Sequence, residues 1–224
     1  MVLLAIDTSG KSGSLALGRV SGGNREVAVL EVVPLAGGTF SAQLVPQIAS
    51  LLDKHGFTKA DIAGFAVASG PGSFTGLRVG LAAVKALAEI LKKPIAVISL
   101  LEAVARTVTA EGPVLSVLDA GRSQLYVGDY DLKPVARMKS ERLLSREEFA
   151  AEPKDHVVVT SDPQIAEHAR AAGFRFELIA CPRADVIARL GWDRILCGET
   201  VSPAELEANY IRRSDAEIFS LPKL

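Results

Sequence analysis

Very little in this sequence is equipped for chemistry. Two cysteines, Cys181 and Cys197, are all that its 224 residues contain. They are too far apart for a CxxC pair and no His or Cys cluster accompanies them, so they read as reduced thiols of a reducing compartment. The histidines number three: His55, His156 and His168. None pairs with another at helical i, i+4 spacing, which leaves no zinc-protease motif, and no Cys–His set suggests a nucleophile with its base. Each is expected to be an ordinary surface residue. Charge of one sign is missing too. With 25 Lys and Arg against 26 Asp and Glu, the chain lacks the basic field of a domain that grips RNA unaided. No apolar run approaches the ~18 residues of a membrane span. The apolar opening, 1–6, has no basic n-region and is cut at strand length by Asp7, so it reads as a core strand and not a signal peptide. A cytoplasmic protein without membrane contact is the expectation.

What is present is ordinary globular material, 49% hydrophobic and 23% charged. Three strand-like runs, 2–8, 12–20 and 25–33, are separated by Ser9-Gly10-Lys11 and Ser21-Gly22-Gly23-Asn24, which predicts an antiparallel meander. A helix over 41–55 follows. Its Leu44, Ile48, Leu51 and Leu52 keep helical spacing and Gly56 caps it, while Pro46 either marks its first turn or kinks it. A buried-type strand at 62–69, a helix from 75 to 92 stopped by Pro94, and a strand at 95–99 complete a β-β-β-α-β-α-β order. That is the layout of one half of an actin-like fold. A second start, with strands at 114–119, 124–131 and 134–138, then two weaker β-α pairs near 156–170 and 174–189, predicts a second, reduced half. The expected domains are 1–110 and 111–224.

The helix from Thr75 carries Arg78, Lys85, Glu89 and Lys92 along one narrow stripe and is otherwise apolar or small. Such a helix is either sandwiched inside the protein or covered by another chain. Gly76, Gly80 and Ala83 fall opposite the charges, where their size would admit a neighbouring helix. With the helix containing Leu44 to Leu52 beside it, two helices meeting two from a partner would make a four-helix bundle.

The loop Gly70-Pro71-Gly72-Ser73-Phe74-Thr75-Gly76 joins a strand to a helix, a place where phosphates sit. Its GxGxxxG spacing is one residue longer than the dinucleotide fingerprint, lacks the P-loop ending and is no GxSxG elbow. Tight turning and close helix packing is the preferred reading. Asp7-Thr8-Ser9-Gly10 and Asp119-Ala120-Gly121 end the first strand of each half, where actin-like ATPases place phosphates; such turns also form for geometric reasons alone. Asp7, Thr8, Ser9 and Asp119 are the nucleotide-binding candidates.

These segments together resemble the TsaB (YeaZ) family, a subunit of the bacterial machinery that makes threonylcarbamoyladenosine in tRNA. The matching residues are Ile6-Asp7-Thr8-Ser9, Ser41-Ala-Gln-Leu-Val-Pro46-Gln-Ile, and above all Ser69-Gly-Pro-Gly-Ser-Phe-Thr-Gly-Leu-Arg-Val-Gly80. Asp119-Ala120 with Arg122 and Tyr126, and Asn209-Tyr210-Ile211-Arg212, match next. The resemblance runs the length of the chain and is dense in its first half. It implies an actin-like (ribonuclease H-like) fold without catalysis of its own, serving as a scaffold that pairs with the catalytic subunit TsaD through the two first-half helices. TsaE joins the pair, and TsaC supplies the threonylcarbamoyl-adenylate used to modify position 37 of tRNAs decoding ANN codons. The interface residues expected are Ser41, Leu44, Val45, Ile48, Leu51, Leu52, Gly76, Val79, Gly80, Ala83 and Leu87. No cofactor of its own is implied, ATP or ADP belonging to the joint with the partner; tRNA is met only through the complex, and the isolated chain should homodimerise. TsaD carries metal-binding histidines at H-x-x-x-H spacing where this chain reads Phe40-Ser-Ala-Gln-Leu44. Two departures stand out: Phe40-Ser41 replaces the family's usual His-Ser, and Gly121 interrupts its Asp-Ala-Arg run. The alternative is a stand-alone actin-like ATPase or phosphotransferase, for which Cys197-Gly198-Glu199 is the one late glycine turn on offer.

Overall fold

A computed structural model of the chain describes residues 1–21, 25–108, 112–132 and 137–212. They form two compact units, Met1–Ala103 with Pro182–Ala208, and Val104–Cys181 with the segment from Asn209. The expected boundary at 110 is therefore crossed three times: 182–208, assigned by sequence to the second half, belongs with the first.

The first unit is a five-stranded sheet in the order β3-β2-β1-β4-β5. β1 (Val2–Asp7), β2 (Gly13–Arg19) and β3 (Ala28–Leu35) form the antiparallel meander, while β4 (Ile62–Gly70) and β5 (Ile95–Ser99) add parallel strands. Parallel addition needs crossovers, which α1 (Phe40–Lys54) and α2 (Phe74–Leu91) supply. Side chains alternate along each strand, so Val2, Leu4 and Ile6 of β1 join Phe65 and Val67 of β4 under these helices, in one core with Leu44, Ile48, Leu77 and Val84. Pro46 lies inside α1, on its exposed side, where water can satisfy the carbonyl freed by the missing N–H.

The opposite face of this sheet has a different surface. Ala16 pairs with Ala5, Ala5 with Ala66, and Ala66 with Ala96, a row of four alanines in register across β2, β1, β4 and β5. So flat a strip lets α6 (Ala184–Cys197) pack against these four strands at very short range. A Cβ placed on Gly191 would stand 2.3 Å from the Ala66 Cβ. Ser14 of β2 accepts the Ala184 N–H at 2.8 Å, capping a helix whose own N-cap residue, Arg183, makes no side-chain cap. At the other end Arg194 reaches the Val97 carbonyl and the Glu102 carboxylate of α3 (Leu100–Ala105). Beyond the helix, Val201 N–H bonds to Ile95 O at 2.9 Å on the outer side of β5.

The second unit repeats the plan as β10-β9-β6-β7-β8. β6 (Pro113–Gly121), β7 (Gln124–Asp131) and β8 (Arg137–Ser145) form the meander; β9 (Val157–Thr160) and β10 (Arg175–Leu178) are parallel additions. Its crossovers are α4 (Arg146–Ala150) and α5 (Pro163–Ala171), 5 and 9 residues where the first unit has 15 and 18. The short helices cover a small core centred on Phe149, which stacks on Phe174 with ring centres 5.1 Å apart. The strand expected over 134–138 is described from Arg137 onward and runs on to Ser145; its earlier part lies outside the described residues. His156 is not a surface residue as expected. It is buried, with Nδ1 2.8 Å from an Asp155 oxygen and Nε2 3.4 Å from Asp129 Oδ1.

Gly191→Ala tests the docking of α6. Alanine in place of glycine favours a helix by about 1 kcal/mol, but a Cβ meeting a strand Cβ at 2.3 Å forces the helix outward, and overpacking of this kind costs about 1–3 kcal/mol. The clash should win, with a net loss of about 1–2 kcal/mol in urea unfolding; equal or higher stability would mean that α6 does not sit on the alanine row.

Candidate docking face

Helix α2 presents three strips. The innermost rests on the end of β1. A Cβ on Gly76 would meet the Thr8 carbonyl oxygen at 2.1 Å, and one on Gly80 the Thr8 hydroxyl at 2.3 Å. The loop before the helix is equally close, since a Cβ on Gly72 would lie 2.4 Å from the Ser9 carbonyl oxygen. Hydrogen bonds fasten what the glycines allow. Thr8 Oγ1 donates to Gly76 O at 2.8 Å, Ser73 N–H donates to Ser9 O at 2.7 Å, and the Ser73 hydroxyl caps the helix by accepting Gly76 N–H at 3.3 Å. The glycines of the GPGSFTG block thus serve close packing, as preferred from sequence.

This corrects two expected interface residues. Gly76 and Gly80 are small because the chain's own β1 lies against them, and neither is open to a partner. Leu44, Ile48, Leu51 and Leu52 are likewise turned inward, at most 7% exposed, in the core of the first unit. The remaining five face outward: Ser41 and Val45 are exposed, and Val79, Ala83 and Leu87 are half-buried. A helical wheel shows that small residues share a side; it does not show whether a sheet or a stranger covers that side.

The outermost strip of α2 bears Arg78, Glu89 and Lys92, with Lys85 half-buried among them. Between it and the inner strip runs a third, made of Val79, Ala82, Ala83, Ala86 and Ile90, residues spaced to share one side of the helix. Ala82 and Ala86 are exposed, and Ile90 is 75% exposed. Val45 of α1, 55% exposed, stands across a groove of about 440 Å³ whose walls include Ser41, Thr75, Val79 and Ala83. Ala82, Ala86 and Ile90 were missed from sequence, although their 82-86-90 spacing beside the charged stripe was available as a signal.

Of the nucleotide candidates, Asp7, Thr8 and Ser9 belong to the first unit and Asp119 to the second. Asp7, Thr8 and Ser9 are buried, at most 6% exposed. Asp7 Oδ1 accepts both the Ser9 N–H at 2.8 Å and the Ser9 hydroxyl at 2.6 Å, so the turn closes on its own aspartate. Burial pushes the Asp7 carboxyl above its ordinary range, and the two bonds from Ser9 pull it only part of the way back. Asp119, in the second unit, is exposed and closes the corresponding turn by accepting Gly121 N–H at 3.1 Å. Among the described residues, no group of three or more His, Cys, Asp or Glu is placed to hold a metal ion, and no helix is long and apolar enough to cross a membrane.

Two units of one β-β-β-α-β-α-β plan, with matching aspartate turns after their first strands, define an actin-like fold. Comparison with known proteins agrees. Residues 32–186 match the family described as TsaD: tRNA N6-adenosine threonylcarbamoyltransferase. The TsaB protein of Bacillus subtilis, named as a tRNA threonylcarbamoyladenosine biosynthesis protein, is 34% identical over 134 residues, 59% of this chain and 56% of that one. The chain thus spans little more than half the length of that relative. The solved structure of YeaZ from Pseudomonas aeruginosa superposes with a TM-score of 0.74 at 25% identity, over 93% of this chain and 99% of that one. A second Pseudomonas aeruginosa structure, described as similar to peptidase YEAZ, gives 0.75 at 27% identity, over 94% and 99%. The chain belongs to the TsaD family of the matching model, and within it to the TsaB (YeaZ) proteins.

Two measurements check the locked turn. Gly76→Ala drives a Cβ into main chain and should cost at least about 3 kcal/mol, more than Gly80→Ala, whose obstacle is a side-chain hydroxyl; the reverse order in thermal melts would contradict the packing. Asp7→Asn keeps an acceptor for both Ser9 donors and removes the buried charge. A carboxyl raised by folding favours the native state below its unfolded value, and that contribution is lost as pH climbs through the raised folded value. The variant should therefore be the more stable at pH 7, with an advantage that shrinks as pH falls into the ordinary carboxylate range. A pH-independent difference would rule out a strained charge at Asp7.

Proposed function

We propose that this protein is a non-catalytic subunit that pairs with TsaD, through the outer sides of α1 and α2, in the synthesis of threonylcarbamoyladenosine at position 37 of tRNAs decoding ANN codons. One observation carries the reading: an outward apolar strip, Val79, Ala82, Ala83, Ala86 and Ile90, whose first three members line an open groove with Val45. Exposed apolar surface of this kind marks interaction sites, and its alanines would let a partner helix approach closely. The name of the Bacillus subtilis relative supports the pathway. The reading assigns this chain no cofactor of its own, brings it to tRNA only through the complex, and places TsaE on the assembled pair. Without TsaD, the same strip pairs two copies of the chain.

Ala82→Arg and Ala86→Arg, at two exposed positions of α2, test this. Each puts a large charge into the apolar strip, at positions where the chain's own core is not disturbed, unlike Gly80→Arg, which would break the fold against Thr8. The variants should melt like the parent, lose at least about a hundredfold in affinity for purified TsaD, a loss of about 2.7 kcal/mol, and elute as monomers where the parent elutes as a dimer. Unchanged TsaD affinity in both variants, or ATP turnover by the isolated chain, would contradict the proposal.

A further inference from the structure

The segment 209–212 belongs with the second unit. It contacts the second unit at two separated points. Asn209 Nδ2 donates to Glu141 Oε2 at 2.5 Å, and the other oxygen of that carboxylate accepts the Tyr130 hydroxyl at 2.5 Å. Arg212 Nη1 donates to the main-chain carbonyl of Ala120 at 2.9 Å. Glu141 lies opposite Gly128, four residues along β7 from Gln124 at the hairpin turn, roughly 14 Å by strand rise. The two ends of the segment therefore grip different parts of the sheet.

Arg212 grips beside an unusual turn. Gly121 pairs with Gln124, leaving Arg122 and Ser123 as a two-residue loop. Gly121, Arg122 and Ser123 have φ of 70°, 53° and 59°. A hairpin loop with two positive φ values normally takes Asn-Gly, because other side chains crowd the backbone there. Neither Arg nor Ser relieves that crowding, and such conformations persist only where surrounding contacts hold them. The contacts that hold it include the strand pairing, the Asp119 side chain on Gly121 N–H, and the Arg212 guanidinium on the Ala120 carbonyl.

We infer that 209–212 is a latch that holds the Arg122-Ser123 turn in its left-handed form, so that docking of this segment and the shape of the turn change together. Any partner that lifts the segment from Glu141 reshapes an exposed turn at the end of the sheet. The inference is independent of the docking face on the first unit.

Amide hydrogen exchange at 121–124 of the full chain tests it. Arg212→Ala should speed exchange there at least tenfold, and Arg212→Lys less. Asn209→Ala is the sharper probe, because it touches nothing in the turn; it should still speed exchange there several-fold. Replacing the loop by Asn-Gly (Arg122→Asn with Ser123→Gly) removes the strain, and in that background Arg212→Ala should change exchange less than twofold. Circular dichroism confirms that each variant is folded. No effect of Asn209→Ala on the turn, or an equal effect of Arg212→Ala in both backgrounds, would overturn the latch.

Discussion

Helix α2 lies closer to strand β1 than any side chain permits, and much of the first unit follows from that approach. Gly72, Gly76 and Gly80 are spaced so that the helix and the loop before it rest directly on Thr8 and Ser9. Contact at this range fixes the rotation of the helix about its axis. The inner strip must face β1, so Leu77, Leu81, Val84 and Ala88 enter the core, and the charged strip must face water. The strip containing Val79, Ala83 and Ile90 is left at the edge: Val79 and Ala83 are half covered by the core they pack against, and Ile90 is 75% exposed. A helix free to roll could hide these residues. This one cannot.

The same device operates on the other face of the sheet. The alanine row admits α6 as the glycine strip admits α2, and Gly191 is its point of closest approach. One thin sheet is thus gripped from both sides by helices at short range, using residues without bulk. Close packing of this kind transmits strain instead of absorbing it, which makes the unit rigid. The second unit has the same topology with crossover helices of 5 and 9 residues, and among the described residues it offers no comparable helical face.

Most of the fold was legible in sequence. The three opening strands, both long helices and the Pro94 stop follow from periodicity and turn residues, and the repeated β-β-β start led to a duplicated actin-like plan. What was not legible depended on contacts distant along the chain. Gly76 and Gly80 carry the same helical pattern whether their neighbour is β1 or another protein, so their assignment to a partner face failed. Helix α6 was placed with the second half because it follows it in order; only the register of Ala5, Ala16, Ala66 and Ala96 reveals the shelf it occupies. His156 lacks any local sign of burial, since Asp129 reaches it from a different strand. Val45, which is exposed, and Val79 and Ala83, which are half-buried, were named from sequence, whereas Ile90 was passed over beside charged neighbours.

On the proposed function, the locked inner strip leaves the outer side of α1 and α2 for a second chain. Carbene labelling of exposed side chains, with and without TsaD, addresses it most directly. Labelling of Val45, Val79 and Ile90 should fall sharply when TsaD is added, while the outer surface of α6 is unchanged. Equal labelling of those three residues in both samples, with protection appearing on another surface, would contradict the account.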